Sequence, residues 1–293
     1  MKNNDVELEH LGGGVCVYRD AISADWDSVF AIGCHLVDGE HAQMYTPTVH
    51  PETQENAYIN KSGYLFSEES INSMPRRGSL IHQNKDPQVV KMLRDLEAIK
   101  DNYLFKYFER FPLAYNCVWW KVKGHLVSYT PGVYLGPHSD ISAEYAYGVH
   151  RTSQQLALRN VITSLVYLNS STRDIQPNAS SFSGGEHVFS YLDITYTPHA
   201  GDILMFPSNY MAAHEVLPVV SGRRISYLGW YSQGTPNPDV GEDVCDPINN
   251  PDGAVVSTNV YMPSLRDDYR NFLLERGHTF DSEQYRATNL NGG

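Results

Sequence analysis

Between Val118 and Leu228 the chain repeats one pattern, and that pattern decides what it can fold into. Short runs of β-branched and aromatic residues are separated by Gly, Pro, Asn and Ser. The runs are Val118-Trp119-Trp120-Lys121-Val122, His125-Leu126-Val127-Ser128-Tyr129, Asn160 to Leu168 (NVITSLVYL), His187 to Tyr191 (HVFSY), Asp202 to Phe206 (DILMF) and Arg224 to Leu228 (RISYL). Such runs predict antiparallel strands in a sandwich or barrel, and they do not alternate with helices as βαβ units would. The strand count fits a double-sheet jelly roll. The fold expected is mainly β with flanking helices.

The flanks read differently. Val15 to Tyr18 is predicted as a short strand after the Gly12–Gly14 break. Ser23, ahead of ADWDSVFAI with its acidic first turn, is expected to cap a helix running to Ile32. Residues 36–75 read as loops with short strands. Asp86 and Pro87 open the strongest helical periodicity, in which Val89, Val90, Met92, Leu93, Leu96 and Ile99 share one face and Pro112 ends the run. Gly234 to Gly253 reads as a loop, and SLRDDYRNFLLERG from Ser264 as a last helix with Gly277 just past its end. At 293 residues this predicts one large domain: a support region 1–115, a β core 116–234, and a loop and helix 235–293 packed on that core.

Charge narrows the partners. The formal net charge is −12, which disfavours a nucleic-acid binder. Cys16, Cys34, Cys117 and Cys245 are scattered without a C-x-x-C, and read as reduced thiols. The polar start MKNNDVELEH does not resemble a secretory leader, and no apolar run approaches the ~18 residues of a membrane span. The expectation is a soluble cytoplasmic protein that acts on a small molecule, with no nucleic-acid or membrane partner.

The chemistry centres on Tyr129 to Asp140, YTPGVYLGPHSD, which holds the one His-x-Asp of the chain. His138 and Asp140 can point to one side of an extended or turning backbone. With a second His they would form a two-His, one-carboxylate face for a divalent metal, the arrangement of non-haem Fe(II) oxygenases. His214 is the candidate, 76 residues on, and Arg224 follows ten residues later. An Arg at the inner end of a barrel strand can pair bidentately with a carboxylate. Arg223 alternates to the other face. His187 and His199 read as structural, Gly184-Gly185 as a turn needing positive φ, and Glu186 and Glu215 as lesser options for substrate contact.

These residues stand in a larger resemblance. The sequence resembles the Fe(II)/2-oxoglutarate-dependent dioxygenases, nearest their prolyl 4-hydroxylase-like branch. Tyr129-Thr130-Pro131-Gly132 with His138 and Asp140 is similar to that branch's Tyr-x-Pro-Gly…Pro-His-x-Asp. Arg159…Thr163 to Asn169 resembles its next core strand, and Ser183 to Phe189 (SGGEHVF) its Gly-Gly-Glu-Thr-x-Phe turn. Pro198 to Phe206 (PHAGDILMF) resembles Pro-x-x-Gly-Asp-x-Leu-x-Phe, and His214-Glu215-Val216-Leu217-Pro218-Val219…Gly222-Arg223-Arg224 the distal His, Pro-Val and Gly-x-Arg/Lys. The matches run in order over residues 126–231.

The resemblance implies a double-stranded β-helix (jelly roll, cupin-like) with Fe(II) held by His138, Asp140 and His214, 2-oxoglutarate as co-substrate and O2 as oxidant. It places Arg224 on the distal carboxylate of 2-oxoglutarate with Tyr129 beside it, and Thr163 and Ser226 in the same pocket. The implied reaction decarboxylates 2-oxoglutarate to succinate and oxidises an unactivated C–H. Asp140 argues for hydroxylation, desaturation or ring formation over halogenation. Two departures bear on the substrate. Leu135 stands where the branch carries a second Tyr, and Ile141 to Leu158 form an insert beside the metal that reads as a substrate lid. Together they favour a small molecule, such as a free amino acid or natural-product intermediate, over peptidyl proline. A non-catalytic metal-binding barrel is the alternative of another class.

Overall fold

The computed structural model describes residues 1–60, 63–78, 86–141, 143–146, 156–173, 180–233, 259–262 and 264–278. Two sheets carry the fold. The larger runs in the order Glu9–Gly12, Val15–Tyr18, Ile203–Pro207, Leu156–Tyr167, Arg224–Gln233, Trp120–Tyr129, Asn259–Tyr261. Ala143–Ala146 pairs on Leu156–Tyr167, and Arg76–Gly78 on Trp120–Tyr129. The smaller sheet runs Leu135–His138, His214–Val216, His187–Phe189, Ile194–Tyr196. The pairings of both sheets are antiparallel. This is the expected jelly roll.

The alternation of each central strand explains why its sequence is apolar almost throughout. In a strand, successive side chains leave on opposite faces. Val15, Val17, Leu165, Tyr167, Leu204 and Phe206 point inward and meet Phe189 and Tyr196 of the smaller sheet. Their neighbours Cys16, Tyr18, Val166, Leu168, Ile203 and Met205 point outward into a second core, shared with the helices. The large sheet is therefore covered on both faces, and an antiparallel strand buried on both faces reads as a continuous apolar run. Arg224–Gln233 keeps the same alternation: Ile225, Tyr227 and Tyr231 face the helices, while Arg224, Ser226 and Leu228 face the inside of the roll.

Two helices cover the outer face. Pro87–Arg110 forms as the periodicity predicts, with Pro87 in the first turn and Asp86 accepting from the Gln88 amide at 2.8 Å. It ends at Arg110, and Pro112 starts a short helical turn, Pro112–Tyr115, instead of only closing the first helix. The other helix departs from expectation at both ends. It spans Trp26–Met44 and is capped by Asp25, not Ser23. Ser23 is unavailable because Ile22–Ser23 pairs as a strand with Lys2–Asn3. The helix then continues through residues 36–44, expected to be loop, since no proline interrupts it before Pro47. Gly33 faces the sheet, where an added Cβ would make ordinary contact with Ile225 and Leu168 at 3.6 Å. Beyond it, Tyr45–Val49, Asn56–Asn60 and Leu65–Ser67 form a separate three-stranded meander.

The predicted strands beginning at Val118 and His125 are one strand, Trp120–Tyr129. The last helix, Leu265–Glu275, buries Tyr269 against Tyr115 and Phe108, and Gly277 follows at φ +83°. Cys16, Cys34 and Cys117 are free thiols. The predicted loop Gly234 to Gly253 lies outside the described residues, as do residues 142 and 147–155 of the insert; Ala143–Ala146 pairs as a strand with Leu156–Arg159. Among the described residues no helix is long and apolar enough to cross a membrane.

Candidate active site

His138 and His214 are direct cross-strand partners in the smaller sheet, with ring centroids 4.3 Å apart. Asp140 follows immediately after the first of these strands. Its carboxylate oxygens lie 3.6 Å from His138 Nε2 and 3.8 Å from His214 Nε2. One ligand atom from each of the three falls within 4.8 Å of the others, close enough to share a metal ion. The tautomers suit that role. His138 Nδ1 sits 2.8 Å from the Gly136 carbonyl, and His214 Nδ1 3.0 Å from the Ala212 carbonyl. A carbonyl only accepts, so each Nδ1 carries the proton and each Nε2 turns a lone pair toward Asp140, as metal-ligating histidines do. Burial holds His214 below its ordinary pKa, against the opposing pull of Asp140, and so favours the neutral, ligating form.

The same cavity reaches Arg224. About 320 Å³ of space, counting its solvent-open mouth, is lined by the triad together with Val127, Tyr129, Leu135, Arg224, Ser226 and others. Arg224 is fully buried. Its register partner is Tyr129, on the neighbouring strand, and the guanidinium carbon lies 4.8 Å from the Tyr129 ring centroid and 5.4 Å from that of Tyr167. Among the described residues, none of its three guanidinium nitrogens finds a hydrogen-bond partner and no carboxylate pairs with it. Arg223, one residue away on the other face, is by contrast fully engaged. It donates to both oxygens of Asp38 at 2.8 and 2.9 Å and to Ser128 Oγ at 2.6 Å. A buried guanidinium without an anion is costly; an anionic ligand entering beside the triad would satisfy it.

Residues 124–232 match the family model described as 2OG-Fe(II) oxygenase superfamily. The matched stretch is the β core that carries the triad and Arg224. Among solved structures, a prolyl-4-hydroxylase from Pseudomonas putida is 17% identical, with 75% of this chain and 93% of that one covered and a TM-score of 0.42. A viral collagen prolyl hydroxylase from Paramecium Bursaria Chlorella virus-1, in a 2OG complex, is 18% identical over 54% of this chain and 79% of that one, TM-score 0.38. A prolyl hydroxylase from Trichoplax adhaerens, in complex with a hypoxia inducible factor peptide fragment, is 14% identical over 75% and 84%, TM-score 0.46. No curated protein matches the chain. The triad and the unpaired Arg224 fit Fe(II), 2-oxoglutarate and O2, the reactants of this oxygenase superfamily.

In this oxygenase the other expected co-substrate residues divide. Ser226 lines the cavity, and its hydroxyl, like Arg224, has no partner among the described residues. Tyr129 lines it too, and burial keeps its phenol above the ordinary value, so it is a proton donor at neutral pH. Thr163 was expected in the same pocket but serves the metal side. Its hydroxyl donates to Asp140 Oδ2 at 2.7 Å and lies 2.9 Å from Ser208 Oγ, while Asn160 Nδ2 donates to the Asp140 carbonyl at 3.0 Å. The carboxylate is thus aimed by the strand across the roll. Thr163→Val should weaken Fe(II) binding by about 10- to 100-fold, the usual scale for loss of a ligand's hydrogen-bonding partner. An anaerobic Fe(II) titration checks this.

Two residues outside the expected set also meet here. His187, expected to be structural, lines the cavity, and its ring packs 4.6 Å from that of His214. Tyr167, whose hydroxyl is 3.3 Å from His187 Nδ1, flanks Arg224. Register parity could have found both: Thr163, Leu165 and Tyr167 share the inner face, as do His187 and Phe189. Of the histidines and acids considered alongside them, His199 is exposed, and Glu186 and Glu215 are half-buried.

Proposed function

We propose that the oxygenase holds Fe(II) through His138, Asp140 and His214, and binds 2-oxoglutarate with its distal carboxylate on Arg224, assisted by Tyr129 and Ser226. It then oxidises an unactivated C–H of a small molecule, such as a free amino acid. The buried, unpaired guanidinium in the triad's own cavity carries this reading. It supplies a charge-assisted, fork-shaped site matched to a carboxylate. The bound iron, with O2, supplies the oxidising power that no side chain has.

The protein's share is placement and exclusion of water. Thr163 and Asn160 fix Asp140; the Gly136 and Ala212 carbonyls fix the histidines. Val127, Leu135, Leu165, Val216 and Leu228 form an apolar wall around the cavity. Such a wall strengthens each polar contact inside it.

A second reading, a peptidyl prolyl hydroxylase, draws on one feature. Tyr134, Ile141, Tyr210 and Met211 are exposed by 45–68% and lie within a few residues of the three proposed ligands. Exposed aromatic and apolar side chains of that kind suit a peptide groove. The deciding experiment is anaerobic addition of Fe(II) and then 2-oxoglutarate, followed by visible absorption. Admission of O2 with free amino acids in one arm and proline-containing peptides in the other is then read as succinate release. Charge-transfer absorption and amino-acid-stimulated succinate are expected. Stimulation by peptides alone would establish the second reading. A folded protein that neither binds 2-oxoglutarate nor releases succinate would leave only the non-catalytic metal-binding barrel.

A further inference from the structure

We infer that Asn169, which lies outside the cavity, is a positioning residue: its side-chain amide fixes the backbone on both sides of Arg224 and so aims the guanidinium. The inference rests on the proposed assignment of Arg224 to the distal carboxylate of 2-oxoglutarate.

The need for such a residue follows from the topology. Arg224 opens its strand, opposite Tyr129 on one neighbour. On the other neighbour the pairing ends at Tyr167 with Ser226, followed by one more bond, from the Leu168 amide to the Ile225 carbonyl at 3.1 Å. There both chains leave the large sheet. Ser170–Ser171 and Val219–Gly222 belong to a separate three-stranded sheet with Ser181–Gly184. Gly222, at φ +74°, makes the crossing just ahead of Arg223 and Arg224. A strand that starts beside a glycine with one neighbour gone would be free to shift.

Asn169 stands at the same crossing on the other chain and replaces the missing neighbour. Its Nδ2 donates to the Arg223 carbonyl at 2.6 Å, and its Oδ1 accepts from the Ile225 amide at 3.0 Å. One donor and one acceptor are what the next residue of a paired strand would supply, and an Asn amide carries both. Asn169 is 1% exposed, so water does not stand in for it. The two bonds bracket the residue whose side chain most needs aiming. No carboxylate pairs with the Arg224 guanidinium among the described residues, and its place in the cavity depends on its backbone and on the Tyr129 and Tyr167 side chains beside it. Asn169 thus acts on the co-substrate through Arg224, without touching it.

The test uses the full chain loaded with Mn(II), and calorimetric titration with 2-oxoglutarate and with 2-oxobutanoate, which lacks the distal carboxylate. Asn169→Ala should bind 2-oxoglutarate about tenfold more weakly, part of the roughly hundredfold that loss of the whole fork would cost, with 2-oxobutanoate unchanged. Asn169→Asp keeps the acceptor for the Ile225 amide but loses the donor to the Arg223 carbonyl. It should show a smaller loss of the same selectivity, and it gives the comparison if the Ala variant does not fold. In an Arg224→Met background, Asn169→Ala should weaken 2-oxoglutarate no further, because the residue it aims is gone. Unchanged 2-oxoglutarate affinity in the folded single variants, an equal loss for both ligands, or a full further loss in the Arg224→Met background overturns the inference. Failure of the unsubstituted protein to bind 2-oxoglutarate would instead overturn the assignment of Arg224.

Discussion

Arg224→Met raises the stability of the ligand-free protein while removing most of its affinity for 2-oxoglutarate. Both effects come from one fact, that the guanidinium is wholly buried with no carboxylate paired to it among the described residues. Without a ligand, the folded state bears the desolvation of that charge, softened by the nearby rings and hydroxyls of Tyr129 and Tyr167. An unbranched apolar side chain fills similar volume without that cost, and the expected gain is about 1–4 kcal/mol. With 2-oxoglutarate the sign reverses. Loss of a charge-assisted fork should cost about 3 kcal/mol of binding, on the order of a hundredfold in Kd. Ligand at ~100 times Kd stabilises the native state by about 2.7 kcal/mol. Melting curves of metal-loaded protein should therefore converge, and cross where the gain is below about 2.7 kcal/mol: the variant melts higher alone, and saturating 2-oxoglutarate raises the unsubstituted protein by far more than the variant. Arg224→Lys keeps the charge but not the fork, and should fall between in affinity. A variant that melts lower alone and binds 2-oxoglutarate normally would make Arg224 a structural residue and remove the main support for the proposed function.

The parts of this site that sequence could reveal are those that depend on residue type and spacing. A His-x-Asp, a later His and an Arg ten residues beyond it have few common uses, and their placement on strands could be read from the β-rich runs. The double-sided burial of those runs was also visible, because covered strands carry apolar residues at both parities. What sequence could not supply is the partner of each polar group. Thr163 reads the same whether it meets a co-substrate or Asp140. The difference is set by register: Thr163 pairs with Phe206 and Trp230, and the Asp140 side chain comes to it from outside those pairings. The helix through residues 36–44 was missed for another reason. It contains Gly39 and several polar residues, so its local preference is weak, and its place against the sheet is visible only in three dimensions.

The outer face of the same strands holds the second large effect. Glu97→Gln is expected to destabilise the protein by about 3 kcal/mol, although Glu97 lies on a helix at a spacing from Lys100 that normally marks a solvated surface pair. Here the pair is buried. Lys100 is fully inaccessible, 3.3 Å from Glu97 Oε1, and its ammonium lies over the rings of Tyr231 and Tyr227 at 5.0 and 6.0 Å. Lys121 approaches the other oxygen at 3.4 Å and also pairs with Asp101. The Gly124 amide and the Tyr227 hydroxyl donate to Glu97 at 2.7 and 2.8 Å. The isosteric amide keeps the shape but removes the only anion paired with Lys100 among the described residues, which leaves a buried cation exposed to its full desolvation cost. Burial pushes the Glu97 carboxyl up, but Lys100 and Lys121 outweigh it, and the group sits well below the usual carboxylate range. A carboxyl with a depressed folded-state pKa contributes stability that is fully present above the unfolded value, ~4.3. That contribution is lost as pH falls through the lowered folded value. Denaturant unfolding should therefore show the largest gap between the unsubstituted protein and Glu97→Gln at neutral pH, and a gap that closes on acidification. Removing the stranded cation as well, in Glu97→Gln with Lys100→Met, should recover part of the loss, since the two sites share one interaction. A gap that stays constant with pH, and a double variant no better than the single one, would mean that Glu97 acts through shape and hydrogen bonding alone. The helix would then be held to the roll by its apolar face, and not by this charge cluster.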